Sequence, residues 1–319
     1  MRTLRMGTRG SALALWQART VAALLEAAGM AVEIAVIRTA GDRLQQAPLS
    51  EAGGKGLFVK EIEEALLDGG IDVAVHSAKD MSVALPEGLE IAATLAREDP
   101  RDALVLPGSP ATGDFAAVLA RLPPAARIGT GSVRRAAQLA PAFPGGRFAG
   151  VRGNVDTRLR KLDAGDYDAL VLAAAGLRRL GLGSRISAAV PIEVCVPAPG
   201  QGIVAIEIRS ADAPLRAALA RAGDIPAAVS LTAERAVIAA LGGGCQLPLG
   251  AIALHDSGSL RMFGVVASLD GTRVVRREVA GSAAEPAALG ARLAAALGAG
   301  GAGEILAALG SGAQTSNQE

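Results

Sequence analysis

Residues Ile71-Asp72-Val73-Ala74-Val75 form a short apolar run, and His76-Ser77-Ala78-Lys79-Asp80 follow it directly. The run is typical of a buried strand, and the polar residues come where that strand ends. A glycine pair, Gly69-Gly70, separates the strand from an amphipathic helix predicted over 57–68. A buried strand preceded by a helix is the repeating unit of an α/β protein.

The same order extends towards the N terminus. Strands are predicted at 4–6 and 32–37, with a helix over 12–28 between them. Strand, helix, strand, helix, strand in succession predicts a parallel sheet with right-handed crossovers. The segment 39–56 is long, polar and rich in glycine, which predicts a mobile loop that acts as a lid.

The pattern restarts near Asp99-Pro100-Arg101 and predicts a second α/β unit of similar size. Its strands are predicted at 103–106, 127–129, 148–150 and 169–173, with helices at 115–121, 132–139 and 154–164 between them. Pro197–Gly202 has the composition of a hinge, and a further strand is predicted over Ile203–Ile208.

A third region has a different order of elements. Helices at 215–220 and 227–241 precede the loop Gly242-Gly243-Gly244-Cys245, and strands follow at 251–254, 260–268 and 273–279. Successive strands joined by turns predict an antiparallel sheet. Cys245 is either a small buried residue beside a helix end or a thiol displayed on a glycine loop.

These patterns predict a division into domains. The predicted ranges are 1–96 with 200–218 for the first α/β domain, 97–199 for the second, 219–310 for an α+β domain, and 311–319 for a disordered tail.

Composition excludes several classes of protein. The 319 residues are half apolar and carry a formal net charge of +1, with 2% aromatic residues, which argues against a nucleic-acid partner. Two cysteines and two histidines provide neither a disulfide framework nor a Cys/His metal cluster. Neither a signal peptide nor an apolar run of membrane-spanning length is recognised, so a cytoplasmic protein without a membrane partner is expected.

Polar residues follow several of the predicted strands, where open α/β sheets bind their ligands. They are Arg9 and Ser11; Ser77, Lys79 and Asp80; Thr130, Ser132, Arg134 and Arg135; and Arg152, with Arg158 on the next helix. Arginines and helix N termini both favour anions, so these residues predict a ligand with several carboxylates.

Structural interpretations of the same residues stay open. Thr130 and Ser132 are also typical helix N-caps, and Asp80 also fits a surface ion pair with its neighbour. The adjacent Arg134 and Arg135 cannot both face one side of a helix, which leaves one of them open to a structural role.

Short motifs along nearly the whole chain resemble the porphobilinogen deaminase family, also called hydroxymethylbilane synthases. They are Thr8–Ser11, Leu15–Ala18, Gly53–Phe58, Val75–Asp80, Arg97–Asp102, Gly129–Arg135, Arg152–Leu159, Pro197–Gly202 and Gly243–Gln246. The chain departs from the family pattern at Ser82, where proline is usual, and at Gly131, where serine is usual.

The resemblance implies two doubly wound α/β domains similar to periplasmic binding proteins and a smaller α+β domain. It implies a transferase of haem biosynthesis that condenses four porphobilinogen molecules head to tail, with loss of ammonia, into hydroxymethylbilane. By the family's pattern, a dipyrromethane cofactor is joined to Cys245 by a thioether and serves as primer, and Asp80 is catalytic. The residues implied to bind cofactor and substrate are Arg9, Ser11, Gln17, Lys55, Phe58, Ser77, Lys79, Thr130, Ser132, Arg134, Arg135, Arg152, Arg158, Arg179 and Gln201.

The expected partner is porphobilinogen, with handover of the product to uroporphyrinogen-III synthase, and the chain is expected to be a monomer. The alternative from another class is a two-lobed binding module for a small polycarboxylate. A displayed Cys245 distinguishes the two, because a plain binder needs no such thiol. A nucleotide-dependent enzyme is disfavoured, since no P-loop and no complete dinucleotide fingerprint is present.

Overall fold

The computed structural model describes residues 3–43, 56–108, 112–242 and 247–315. Lys55, Cys245 and most of the predicted lid segment lie outside these residues, as do 316–319 of the predicted tail.

The elements follow one another in three groups. The first group is β1 Leu4–Thr8, α1 Ala12–Ala27, β2 Val32–Val36, α2 Ala40–Arg43, α3 Lys60–Leu67, β3 Val73–Ser77 and β4 Leu89–Thr94. The second is β5 Asp102–Val105, α4 Phe115–Leu119, β6 Arg127–Gly129, α5 Val133–Leu139, β7 Arg147–Ala149, α6 Val155–Asp163, β8 Ala169–Ala173, α7 Ala174–Arg179 and β9 Ala188–Ala189. The third is β10 Val204–Arg209, α8 Ala213–Ala222, α9 Ile225–Leu241, β11 Leu249–Asp256, β12 Ser259–Ala267, β13 Val274–Ser282, α10 Pro286–Ala299 and α11 Ala302–Thr315.

The first sheet has the order β2-β1-β3-β10-β4. β1 runs parallel to β2 and β3, whereas β10 is antiparallel to both of its neighbours, β3 and β4. The parallel pairing predicted for the first three strands is confirmed, whereas the antiparallel direction of β10 was not predicted. The reason is long-range: the chain leaves for the second sheet after β4 and returns as β10, which enters the first sheet from the opposite end.

The second sheet, β7-β6-β8-β5-β9, is also mixed, because β5 is antiparallel to β8 and β9. Side chains of β5 alternate between its two faces. Leu104 packs with the core that contains Ile128, while Ala103 and Val105 belong to the core that contains Leu170. Apolar cores on both faces confirm the predicted doubly wound α/β architecture.

The third sheet, β11-β12-β13, is antiparallel, as predicted. Helices α9 and α10 cover it and approach each other closely: a Cβ added to Gly290 would lie 2.1 Å from the carbonyl oxygen of Ala233. The last helix extends to Thr315, so residues 311–315 are helical where disorder was predicted.

The predicted boundary at residue 218 falls inside helix α8. Leu215 and Leu219 of that helix are both buried in the core of the first sheet, which places the whole helix with the first domain. Across the described ranges, no single helix is long and apolar enough to cross a membrane. Only a bent pair, Pro286–Ala299 with Ala302–Leu309, meets the length and composition test jointly.

Candidate active site

An open cleft lies between the first and second domains. The segments that follow β1 and β3 line one side of it, and those that follow β6, β7 and β8 line the other. Its cavity volume is about 330 Å³. Pockets for drug-sized ligands occupy roughly 300–1,000 Å³, so the volume of this cleft suits a small-molecule ligand. The expectation that ligand residues gather at strand ends is met.

Most of the predicted site residues come together in this cleft. Those that line it are Arg9, Ser11, Gln17, Phe58, Ser77, Lys79, Asp80, Ser132, Arg135, Arg152, Arg158 and Arg179. Six of the lining residues are basic and three, Asp42, Asp80 and Asp156, are acidic. The lining therefore attracts anions, with a few carboxylates set among the cations.

Ser11, Gln17 and Ser77 fix the floor of the cleft on the side of the first domain. Ser11 caps helix α1, with its hydroxyl accepting a hydrogen bond from the Ala14 amide at 3.2 Å. The buried Gln17 donates from its amide nitrogen to the Ser77 hydroxyl at 2.9 Å. This bond ties α1 to the end of β3, directly before Lys79 and Asp80.

Asp80 stands in a 3-10 turn, Ala78–Asp80, that continues from β3. Its half-buried carboxylate lines the cleft. It contributes a favourable charge to both Lys79 and Arg158. Asp80 therefore lies among the charged groups of the cleft and not in the exposed ion pair considered from the sequence.

Burial and neighbouring charges shift the pKa values of two cationic residues in the cleft. Burial lowers the pKa of Lys79 to about 8, with Arg135 acting in the same direction and Asp80 opposing it. Burial likewise lowers the pKa of Arg158 to about 10, reinforced by Arg135 and Arg152. Arg158 therefore stays charged at neutral pH, while Lys79 titrates in the slightly alkaline range.

Arg134 does not reach the cleft. Its guanidinium pairs with the fully buried Asp102 at 2.8 Å and donates to the Val196 carbonyl at 2.7 Å and to the Cys195 sulfur at 3.2 Å. The sequence assigned Arg134 to ligand carboxylates; the structure instead uses it to neutralise a carboxylate of the protein. Asp102 pairs with both adjacent arginines, but only Arg135 also lines the cleft.

Arg135 lines the cleft and also pairs with Asp102, at 2.8 Å. Gln201 lies behind it, fully buried, with its amide nitrogen donating to Asp102 at 2.9 Å and to the Pro100 carbonyl at 2.7 Å. Gln201 accepts from Lys79 and Arg135 at 3.5 Å each, so it orients cleft residues without lining the cleft itself. Thr130 is likewise buried off the cleft, where its hydroxyl accepts from the Ser132 amide at 3.3 Å.

Three acidic residues that matter at the site were missed from the sequence. Asp102 belongs to a quoted motif but was given no role. Asp42, in the segment predicted to be a mobile loop, pairs with Arg9 from the short helix α2. Glu207 is fully buried on β10 and contacts the buried His76 at 3.0 Å, so each is the polar partner of the other in the core. A signal for Glu207 existed, because an acid inside a predicted buried strand requires a partner.

Helix α9 ties the third domain to the other two. The fully buried Glu234 pairs with Arg97 and accepts from the backbone amides of Gly200 at 2.6 Å and Ala253 at 2.8 Å. The next residue, Arg235, donates to the carbonyls of Ser82 at 2.9 Å and Val83 at 2.6 Å, in the segment that follows Asp80.

Comparison with known proteins decides the family. The model of the porphobilinogen deaminase dipyrromethane cofactor binding domain matches residues 4–217, and that of the porphobilinogen deaminase C-terminal domain matches 228–299. The chain belongs to the porphobilinogen deaminase family. The protein named porphobilinogen deaminase in Acidithiobacillus ferrooxidans is 50% identical over 306 residues, covering 95% of this chain and 97% of that protein. The one from Syntrophotalea carbinolica is 47% identical over 308 residues, covering 96% of both.

Solved structures of periplasmic binding proteins are similar in outline. A periplasmic substrate-binding protein of an ABC transporter from Coxiella burnetii covers 73% of this chain and 96% of its own, with a TM-score of 0.40 and 16% identity. Similarity at this level carries no conclusion about function.

Membership of the porphobilinogen deaminase family settles the reaction. The chain is a transferase of tetrapyrrole biosynthesis that joins four porphobilinogen molecules into hydroxymethylbilane, with a covalent dipyrromethane as primer. A simple binding module explains less, because the matching domain is one that binds this cofactor.

The described residues fit such a cofactor. Each of its rings carries an acetate and a propionate, and the cleft offers cationic side chains from both domains to receive them. Cys245, the expected point of attachment, lies outside the described residues. Helix α9 ends shortly before it, at Gly242, whose φ of 66° is the left-handed conformation that glycine adopts readily.

Proposed function

We propose that the residues of the cleft divide the work of this reaction between binding and chemistry. The observation that carries the proposal is the position of Asp80, a carboxylate at the end of β3 among the cationic residues of both domains. A negative group in that position accepts hydrogen bonds from pyrrole N–H groups and stabilises the positive charge that develops when ammonia leaves the substrate.

The cationic side chains bind the acetate and propionate groups. Arg135, Arg152 and Arg158 act from the second domain, and Arg9 and Lys79 act from the first. Arg179 closes one end of the cleft, where its guanidinium donates to the Gly202 carbonyl at 2.7 Å and lies 5.5 Å from the Trp16 ring. When bound, dipyrromethane supplies the pyrrole carbon to which the first substrate is joined.

Cys245 is the attachment residue in this proposal, and Cys195 is not. The Cys195 thiol is fully buried, and burial raises its pKa to about 12 despite the neighbouring Arg134. A thiol with so high a pKa is a poor nucleophile.

The proposal also covers the compartment, the oligomeric state and the partners of the enzyme. The chain acts in the cytoplasm as a monomer, takes porphobilinogen as its substrate, and hands hydroxymethylbilane to uroporphyrinogen-III synthase.

The test combines activity with intact-protein mass. The purified chain should release one ammonia for each porphobilinogen consumed, form the linear tetrapyrrole, and weigh more than its sequence by two pyrrole units. Cys245→Ser should abolish the extra mass and the activity, whereas Cys195→Ser should keep both. Loss of the extra mass in Cys195→Ser alone would contradict the assignment of the cysteines.

A further inference from the structure

Asp42 holds a position that the reaction scheme does not account for. It is an acidic residue in the lining of a cleft that binds carboxylates, and it pairs with Arg9, one of the groups assigned to those carboxylates. A negative charge at this point weakens the attraction of the cleft for its ligand. The arrangement around Asp42 shows how it is held there.

Residues from three segments of the chain contribute to the ion pair of Arg9 with Asp42. The Arg9 Nε donates to one oxygen of Asp42 at 3.1 Å and its Nη2 donates to the same oxygen. The ring of Phe58 lies over the guanidinium, 4.2 Å from its carbon to the ring centroid. Only about a fifth of either charged side chain is exposed to solvent.

Asp42 is anchored independently of Arg9. Its second oxygen accepts from the hydroxyl of Thr39 at 2.9 Å and from the Thr39 amide at 3.2 Å. Thr39 is fully buried, and the Gly41 amide next to Asp42 donates to the Leu57 carbonyl at 2.8 Å. The carboxylate therefore keeps its place when the arginine moves.

Arg9 retains donors for another partner. A guanidinium has five N–H groups, and Asp42 takes those along the edge formed by Nε and Nη2. Within the part of the chain that the structure describes, no other side-chain hydrogen bond of Arg9 occurs. Its outer edge can receive a ligand carboxylate while the anchored Asp42 competes for the same cation.

We propose that Asp42 is a built-in competitor that makes Arg9 an exchangeable binding group for the carboxylates of successive pyrrole rings. The inference rests on the proposed function, in which Arg9 binds such carboxylates. Each condensation requires a ring to leave its binding group so that the next can enter. Arg9 without a competing carboxylate would hold each ring more tightly and release it more slowly.

The decisive variant is Asp42→Asn, which removes the charge and keeps the size of the side chain. Purified enzyme with its cofactor loaded is assayed with porphobilinogen. Native mass spectrometry after one, two and three substrate equivalents shows which enzyme-bound intermediates accumulate. We expect KM to fall about three- to tenfold, kcat to fall by a similar factor, and elongation intermediates to accumulate.

Two further variants serve as controls. Asp42→Glu keeps the charge and should stay near the wild-type KM and kcat, which separates charge from loss of folding. Asp166→Asn makes the same charge change at an exposed turn remote from the cleft and should have no effect on either constant.

A raised KM in Asp42→Asn would show that Asp42 positions Arg9 for binding and would overturn the competitor role. A lower KM with unchanged kcat and no accumulated intermediates would overturn the exchange role, and so would unchanged constants. None of these outcomes would affect the proposed function, since that depends on activity and cofactor mass in the wild-type chain.

Discussion

Replacing Arg134 by leucine tests whether this arginine stabilises the protein or binds the ligand. In the structure it neutralises Asp102, which is fully buried and also pairs with Arg135. Without Arg134, one oxygen of Asp102 keeps only the thiol of Cys195 as a donor, at 3.4 Å. The Val196 carbonyl is affected less, because Gln138 still donates to it at 3.1 Å.

The expected loss follows from the burial of this pair. Breaking a buried ion pair costs about 3–5 kcal/mol, and because Arg135 remains we expect about 3 kcal/mol for Arg134→Leu. For a chain of this size that loss lowers Tm by roughly 4–5 °C. The exposed pair of Arg160 with Asp156 gives the control: Arg160→Leu should cost less than about 0.5 kcal/mol.

The loss of stability caused by Arg134→Leu should depend on pH in a defined direction. Burial alone would raise the pKa of Asp102, but the charges of Arg134 and Arg135 outweigh it and hold that pKa well below the usual 3.8. Stabilisation from a depressed carboxyl pKa is complete above the unfolded value and is lost as pH falls towards the folded one. The difference in free energy of unfolding between the wild type and Arg134→Leu should therefore be complete at pH 7 and decrease only below about pH 4.

The assay is urea denaturation of both proteins at pH 7 and at about pH 3, with the cofactor content of each protein measured by intact mass. If the free energy of unfolding of Arg134→Leu lay within about 1 kcal/mol of the wild-type value at pH 7, the argument from burial would be refuted. If that variant also lacked the cofactor, Arg134 would be a ligand-binding residue after all.

Three further predictions concern other residues of the site. Asp80→Asn should keep the mass of the bound pyrroles while ammonia release falls about 10²–10³-fold; near-normal turnover with full cofactor would exclude Asp80 as the catalytic group. Arg152→Leu should change stability by less than about 0.5 kcal/mol yet weaken carboxylate binding by roughly 1.5–3 kcal/mol, seen as lower cofactor content or a higher KM. Burial and the charge of Glu207 raise the pKa of Glu63 from 4.5 to about 7, so wild-type stability should fall as pH rises through this range. Glu63→Gln should then be more stable than the wild type at pH 8, by on the order of 3 kcal/mol, and equal to it near pH 4; a difference independent of pH in urea denaturation would contradict the assignment.

The sequence predicted well what short-range patterns determine. Alternating or continuous apolar residues located the strand that ends at Ser77 and the strand that precedes Arg152, and strand order located the cleft at their carboxyl ends. The roles of Asp80 and Cys245 came from motif resemblance, because periodicity carries no information about chemistry. The antiparallel direction of β10 could not be predicted, since it depends on where the chain returns after crossing a whole domain.

Long-range partners explain the remaining errors. Helical geometry left one of Arg134 and Arg135 open to a structural role, but both are buried and pair with Asp102, which lies far earlier in the chain. Asp42 was hidden by the polar composition of its segment, although the buried hydroxyl of Thr39 and the ring of Phe58 hold that part in a defined conformation. Polarity alone therefore did not distinguish a mobile loop from a packed turn.

The contacts of α9 indicate which part of the molecule stays fixed during elongation. Glu234 joins this helix to the hinge at Gly200 and to the third domain at Ala253, while Arg235 joins it to the segment after Asp80. The helix that leads to Cys245 is thus bonded to the backbone segment that follows Asp80, the proposed catalytic residue. In the proposed function the product is anchored at Cys245, so if that anchor and Asp80 keep a constant relation, growth by one ring must be accommodated elsewhere. We therefore propose that the cationic groups of the cleft change partners during elongation, and that a competing carboxylate such as Asp42 allows that change without movement of Asp80.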